Sequence, residues 1–323
     1  MGLKTMVRIH LRLKRVFSLQ SYTRTSCLNS IAQYKRFLAL RERKMLIEKS
    51  CYVHVGLHKT GTTALQNFLQ LQQSAIEAAG FLYPRACRAM SGHHLAAWVF
   101  MNDPRAVGTA SRPADLVAEM LDTPLRNILL SSEDFEGCLV ENDGFYDFLD
   151  DLQWLAIKPK IVIYLRRPAD YAESLYLELL KHGFRRSFSE YLEEILDLGF
   201  LQYESWIFWF DYERVRDVLS KKQIETIIRP YPLNDTINDF CRTVGLSIPG
   251  VPAVQNANVR EDVGTAYKRF ADGAELDRQI DVLAMSPVNQ ARFDRRFVFA
   301  PTRMKTTPQA KAAVYLEDIF KRC

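Results

Sequence analysis

Long hydrophobic runs are missing from this 323-residue chain. Nothing in it approaches the ~20 apolar residues of a membrane-spanning helix. The N-terminal segment also lacks the uncharged apolar core of a secretory signal, because Arg8, Arg12, Lys14 and Arg15 interrupt it. Gly2 is followed by Met6 where a myristoylation motif needs Ser or Thr. Cysteines are few and scattered: Cys27, Cys51, Cys87, Cys138, Cys241 and Cys323 form no C-x-x-C pair. That pattern excludes a zinc ribbon or a disulfide framework, and it predicts free thiols in a reducing cytoplasm. Internal repeats, low-complexity tracts and clusters of metal-ligating residues are absent as well, so no metal is expected.

What is present starts with ordinary globular composition, 48% hydrophobic and 11% aromatic residues. The charge is unevenly spread. Residues 1–44 hold eleven Lys/Arg and one acid, Glu42, a formal +10. The whole chain carries +5, so residues 45–323 carry −5. The basic pI of about 8.8 therefore reports the arm and gives no ground for a nucleic-acid partner. The domain reading is a basic arm at 1–44 outside the fold, disordered or an over-long start, and one domain at 45–323 opening at Met45. A transit peptide or membrane-surface segment is the functional alternative for the arm.

The most informative stretch is Val53-His54-Val55-Gly56-Leu57-His58-Lys59-Thr60-Gly61-Thr62-Thr63. The apolar run Cys51–Val55 ends in a glycine- and threonine-rich turn that feeds an amphipathic segment, giving strand, loop and helix. In such a loop the free backbone N–H groups and the positive helix end converge on one spot suited to a phosphate or sulfate. Gly56 and Gly61 have the spacing of a Walker A loop, but Lys59 stands two places before Gly61, not directly after it. This is a phosphate loop of another pattern; the plainer alternative is a glycine turn between a strand and a helix.

A second motif lies in Lys160–Tyr176. Ile161–Leu165 reads as a buried strand, Arg166 stands at its end, and Pro168 suits a first helical turn. Ser174 falls eight residues after Arg166, on the helix that follows. An arginine at a strand end and a hydroxyl on the next helix can grip one phosphate from two sides.

Together these motifs resemble the sulfotransferases that use 3′-phosphoadenosine 5′-phosphosulfate (PAPS). The phrase His58-Lys59-Thr60-Gly61-Thr62-Thr63 is similar to their 5′-phosphosulfate loop. Arg166-Arg167-Pro168-Ala169-Asp170 with Ser174 and Tyr176 is similar to their 3′-phosphate motif. The resemblance spans roughly residues 51–260 and is nearest to bacterial-type members; the membrane span of secretory-pathway members has no counterpart here. It implies transfer of a sulfuryl group to a hydroxyl of a carbohydrate or small molecule, with PAPS as co-substrate and no metal. It further implies that Lys59 steadies the leaving oxygen, that Gly61, Thr62 and Thr63 hold the 5′-phosphate, and that Arg166 and Ser174 hold the 3′-phosphate. His58 neighbours the loop and shapes it.

Candidates for the base that takes the acceptor's proton are His93 and His94, in the stretch 85–113 read as irregular, and Glu133, which ends the strand Asn127–Ser132. Surface and capping roles are their alternatives. His54 reads as a core histidine. Tyr171 and Tyr176 read as helix packing. Strand-like runs at Phe81–Pro84 and Gln223–Pro230 alternate with helical patterns at 142–155, 168–182 and 235–244. Tyr203–Val218, with Trp206, Trp209 and Phe210, reads as an aromatic helix packed in the core. Helical patterns recur near 274–283 and 311–320, and the basic stretch Arg295–Arg303 reads as a solvated surface or a flap over the nucleotide. The alternation predicts an α/β chain with a three-layer, P-loop-like fold and a central parallel sheet flanked by helices, with ligands bound beyond the strands' carboxyl ends. An ATP-dependent kinase and an inactive nucleotide-binding protein are the competing functions. Oligomeric state and acceptor identity are left open.

Overall fold

A computed structural model describes residues 48–109, 111–231, 235–248, 285–297, 299 and 304–306. The basic arm and the helical patterns near 274–283 and 311–320 lie outside them. The first strand, β1 (Lys49–Gly56), leads into helix α1 (Thr62–Leu71), a short α2 (Gln73–Ala78) and strand β2 (Phe81–Leu82). Helices α3 (His94–Phe100) and α4 (Pro113–Asp122) precede β3 (Asn127–Ser132), which runs directly into a 3₁₀ turn, Glu133–Cys138. Then come α5 (Asp143–Trp154), β4 (Ile157–Leu165), α6 (Pro168–Lys181) and α7 (Phe188–Leu198). A hairpin of β5 (Phe200–Tyr203) and β6 (Trp206–Trp209) is followed by α8 (Tyr212–Lys221), β7 (Glu225–Pro230), α9 (Thr236–Val244), α10 (Pro287–Arg296) and β8 (Met304–Thr306).

The main sheet has the order β2-β3-β1-β4-β7-β8. Its first five strands are parallel, and β8 closes the β7 edge antiparallel. β1 lies between β3 and β4, with Val55 opposite Ser132 on one side and Gly56 opposite Tyr164 on the other. The loops leaving β1, β3, β4 and β7 therefore emerge side by side. β4 carries the unbroken apolar run Ile161–Leu165 because both faces are covered, while in β1 the buried His54 interrupts the run and bonds Ser131 of β3. Cys51, Val53, Val55, Ile161 and Ile163 face a core shared with α5 and α6 residues such as Phe145, Leu149, Tyr171 and Leu175. Leu129, Val162 and Tyr164 face the opposite way, onto Leu65 and Leu69 of α1 and Phe240 of α9. That is a three-layer α/β arrangement with a central parallel sheet, as the alternation predicts.

Two readings need correction. Tyr203–Val218 is not one helix. Trp206-Ile207-Phe208-Trp209 alternates in a strand, pairing Trp206 with Tyr203 and Trp209 with Phe200. Bulky aromatic and β-branched residues pack best on a pleated surface, which overrides the helical spacing. Helix α8 begins only at Tyr212, where the Asp211 side chain accepts from the Arg214 N–H. The stretch 85–113 is also less irregular than its composition predicts: it contains α3, whose Ala96 and Ala97 are fully buried.

One carboxylate ties three of these elements together. Glu136, in the 3₁₀ turn, is fully buried. It accepts from the Tyr171 hydroxyl of α6 at 2.9 Å, from the Trp209 N–H of the hairpin at 2.7 Å, and from the His58 N–H at 3.1 Å, and its Oε2 lies 3.0 Å from His58 Nδ1. Removing a buried acceptor strands all of these donors. Glu136→Ala is expected to destabilise the chain by about 3 kcal/mol, read as a drop of roughly 10 °C in melting temperature. A melting temperature within 2–3 °C of the parent's would contradict this role.

Candidate functional site

The loop after β1 is held open by backbone conformation. Lys59 (φ 64°) and Gly61 (φ 75°) both occupy the left-handed region. At Gly56 a Cβ would stand 2.0 Å from Thr62 Oγ1, so only glycine lets strand and helix approach this closely. Thr60 is buried and spends its hydroxyl on the Leu57 carbonyl at 2.5 Å. Thr62 is buried and Thr63 exposed at the start of α1. That helix has no side-chain cap and no acid in its first turn. Among the described residues its opening N–H groups thus receive no side-chain cap, the condition an anion site needs.

The second sequence motif meets this loop. Arg166, one residue past β4, donates from Nη1 to the Lys59 carbonyl at 3.2 Å. Its own carbonyl accepts from the Tyr212 hydroxyl at 2.8 Å, and its guanidinium lies 5.9 Å from the Tyr231 ring centroid. Ser174, half-buried on α6, stands four residues before Glu178 and so on the same helix face. Glu178 reaches the loop: its Oε2 lies 2.9 Å from Lys59 Nζ and 3.2 Å from Lys181 Nζ. Burial would raise the Glu178 carboxyl, but the hydrogen bond and charge of Lys59, with help from Lys181, hold it below its usual value.

His58 turns inward, its ring 4.8 Å edge-on from Phe208 and its Nδ1 on Glu136. Burial opposes its protonation, yet the bond to Glu136 and the charges of Glu136, Asp134 and Glu133 prevail and raise its pKa. His54 sits in the core between Tyr164 and Phe240, with Nδ1 2.8 Å from Ser131 Oγ.

On the β3 side, the residues after the strand form a second group. Glu133 accepts from Gln66 Nε2 of α1 at 2.8 Å, and its Oε2 lies 3.9 Å from His94 Nε2. His94 opens α3, and its Nδ1 is 2.8 Å from Asp134 Oδ2. Space at Nε2 is kept by Gly92, where a Cβ would come within 2.7 Å of both Gln66 and His94 Nε2. Burial lowers the His94 pKa, but the Asp134 bond and the charges of Glu133 and Asp134 more than reverse this and raise it. His93 is engaged elsewhere. It is fully buried, its Nδ1 accepts from the Ser131 N–H at 3.2 Å, and its Nε2 faces the Pro84 carbonyl at 3.0 Å.

The residues singled out in the sequence thus separate. Lys59 and Arg166 meet at the first loop, which runs into Thr62 and Thr63 at the start of α1; Ser174 lies on α6, one turn before Glu178; Glu133 and His94 stand together after β3, and His93 and His58 are tied into the interior. Sequence reasoning missed Gln66, Asp134, Glu136 and Glu178. The phrase Glu133-Asp134-Phe135-Glu136, three acids straight after a buried strand, was the available signal for two of them. In the basic stretch, Arg296 donates to the Leu196 carbonyl at 3.2 Å, and Asp294 of α10 pairs with Arg167, next to Arg166; residues 300–303 lie outside the described residues. Among the described residues no group of three or more His, Cys, Asp or Glu side chains could hold a metal ion, and no helix is long and apolar enough to cross a membrane.

No protein-family model matches the chain, and no curated protein sequence does. Among solved structures it is similar to a sulfotransferase from Alicyclobacillus acidocaldarius, at 18% identity and a TM-score of 0.38, over 77% of this chain and 96% of that one. The functional reading below rests on the side chains.

The histidines also set a pH dependence. Burial pushes the pKa of His54, and likewise that of His93, where the Arg88 charge adds, down to about 3. Between pH 6.5 and 5 the unfolded chain binds protons at these two sites that the native state refuses, so stability falls on acidification. The loss is roughly 1.4 kcal/mol per histidine per pH unit below the unfolded pKa. His58 and His94 act oppositely: their raised pKa values give stability that is complete below about pH 6.5 and fades above it. His54 and His93 alone would make the chain about 2–3 kcal/mol more stable at pH 7.0 than at pH 5.5; His58 and His94 pull the other way, so the check is an NMR titration of the individual rings, in which His54 and His93 should stay neutral down to pH 5. A charged His54 or His93 ring in the folded chain at pH 5.5 would contradict their neutral, buried state.

Proposed function

We propose that this protein is a sulfotransferase that uses PAPS and transfers its sulfuryl group to a hydroxyl of a carbohydrate or small molecule. One observation carries the reading: the Arg166 guanidinium lies against the Lys59 carbonyl, 3.2 Å away, so two anion-binding motifs 107 residues apart share one place. A donor with phosphates at both the 5′ and 3′ positions of one adenosine needs such a pair. The residues fit it: a helix start at Thr62–Thr63 without a side-chain cap, a lysine and an arginine beside it, and a serine on α6, one turn before the Glu178 that pairs with Lys59.

When bound, PAPS supplies a sulfuryl group on a phosphate leaving group. The chain's part is positioning and positive charge, because transfer of this kind spreads negative charge over the transferred group and the leaving oxygen. The N–H groups and hydroxyls of Gly61, Thr62 and Thr63 hold the 5′-phosphate. Arg166 and Ser174 hold the 3′-phosphate. Lys59, released from Glu178, places its ammonium beside the leaving oxygen. His94 takes the acceptor proton at Nε2, with Glu133 beside it to orient the hydroxyl and stabilise the histidine's charge. His93 has both ring nitrogens committed and serves structure, as does His58. The described cysteines Cys51, Cys87, Cys138 and Cys241 are free thiols, which supports a reducing, cytoplasmic setting.

A kinase using ATP would want its lysine directly after Gly61 and has no use for a 3′-phosphate grip. Calorimetric titration separates the two: 3′,5′-ADP should bind clearly tighter than ADP, and preference for ADP would discard the PAPS assignment. Assay of labelled PAPS over a panel of acceptors separates an enzyme from an inactive binder.

Lys59→Ala is expected to lower turnover by about 3–4 kcal/mol in barrier, two to three orders of magnitude, with a much smaller effect on nucleotide affinity. Turnover equal to the parent's would refute its role. Arg166→Ala should weaken 3′,5′-ADP by about 1.5–3 kcal/mol, and unchanged affinity by titration would refute the 3′-phosphate grip.

A further inference from the structure

His93 and His94 are neighbours in sequence with opposite hydrogen-bond patterns. At His93 the Ser131 N–H points at Nδ1, so the ring hydrogen sits on Nε2 and is spent on the Pro84 carbonyl. At His94 the partner of Nδ1 is a carboxylate, Asp134 Oδ2, at 2.8 Å. Asp134 is only 5% exposed. Oδ2 also accepts from the Trp98 indole at 2.9 Å, and Oδ1 accepts from the Trp206 indole at 3.2 Å. An indole can only donate, so both oxygens accept; burial would raise the carboxyl, but the His94 bond and the charges of His58, His94 and Arg105 hold it below its usual value, ionised. Arg105, paired with Asp103 through Nε and Nη2, brings that Nη2 to 4.0 Å from Oδ1 and stacks its guanidinium 4.5 Å and 5.0 Å from the Trp98 and Trp206 rings. Asp134 is anchored once more through its N–H, which donates to Ser132 Oγ at 3.1 Å, and Ser132 Oγ itself lies 3.0 Å from His94 Nδ1. The ionised carboxylate has no hydrogen to offer His94 and stands nearer to Nδ1, at 2.8 Å, than the Ser132 hydroxyl, which can give or accept.

We infer that Asp134 is a positioning residue that fixes His94 as the Nδ1–H tautomer, so that Nε2 presents its lone pair into the space kept by Gly92 beside Glu133. The inference rests on the sulfotransferase reading for its purpose, the removal of an acceptor proton, but its physical content is the state of one ring. As the acceptor O–H bond gives up its proton to Nε2, the imidazolium formed is stabilised by the carboxylate on the far nitrogen, which stays unprotonated. The charged groups facing this ring are Asp134 from the turn, Glu133 from the end of β3, His58 from the first loop and Arg105 behind Asp134. Gln66 and Trp98 are its neutral neighbours.

The test is NMR of the histidine ring nitrogens in the full chain, with His94 assigned by loss of its signals in His94→Gln. In the parent, His94 should carry its hydrogen on Nδ1 at pH 8 and titrate above the ordinary ~6.5. In Asp134→Asn the titration should move to lower pH and the Nε2–H form should appear. The acid limb of the turnover–pH profile should shift the same way, because the base is now the weaker one, and its plateau should fall about a hundredfold. Affinity for 3′,5′-ADP should stay within about twofold. A folded Asp134→Asn with the parent's tautomer and titration would overturn the inference. So would a parent ring that carries its hydrogen on Nε2, a result that needs no variant at all. If the tautomer is as expected but no acceptor is sulfated and 3′,5′-ADP does not bind, the functional reading fails and the positioning role stands.

Discussion

The buried charge of Glu136 is the constraint on which the rest of the site depends. A carboxylate taken wholly out of water is tolerated only when its lone pairs are filled. Here the donors come from the loop after β1, from α6 and from the aromatic hairpin. Each of these carries something the site uses: Lys59 follows His58 directly, Ser174 and Glu178 lie on the helix of Tyr171, and Trp206 lies on the strand of Trp209. The carboxylate therefore sets the relative placement of groups it does not touch.

The sheet order then sorts charge across the cleft. β3, β1 and β4 are adjacent, so an acidic turn, a glycine loop and an arginine emerge in a row. Lys59 and Arg166 lie on the β1–β4 side, where an anionic donor is favoured. Glu133 and Asp134 lie on the β3 side, where the proposed transfer has the acceptor's proton taken up. Placing both carboxylates beside the basic loop would weaken anion binding; placing them one strand away lets His94 be made more basic without that cost. The ion pair of Lys59 with Glu178 fits the same logic, since the ammonium has a partner of the sign its ligand would have.

Much of this was legible in the sequence. β1, β3 and β4 were readable because fully buried parallel strands are short, mainly apolar runs. The loop at 56–63 was readable as a strand-to-helix turn because of its two glycines, and Arg166 as a strand-end residue because the apolar run stops at Leu165. The hairpin was misread because Tyr203–Val218 contains aromatics at spacings that suit either a helix or a strand, and only pairing across Glu204 and Ser205 decides between them. His93 and His94 could not be told apart from their types. What distinguishes them is that one meets a backbone N–H and the other a carboxylate forty residues away. Glu178 and Gln66 were invisible for a similar reason: each is an ordinary polar residue on a helix until packing brings its end to the loop or to Glu133.

The account as a whole claims that the first loop and the end of β4 hold one nucleotide between them. A crystal structure with 3′,5′-ADP tests this most directly. It should place the 5′-phosphate on the N–H groups of Thr62 and Thr63, the 3′-phosphate between Arg166 and Ser174, and Lys59 Nζ off Glu178. A nucleotide bound elsewhere, or touching one motif while the other stays more than about 6 Å from any phosphate oxygen, would contradict it.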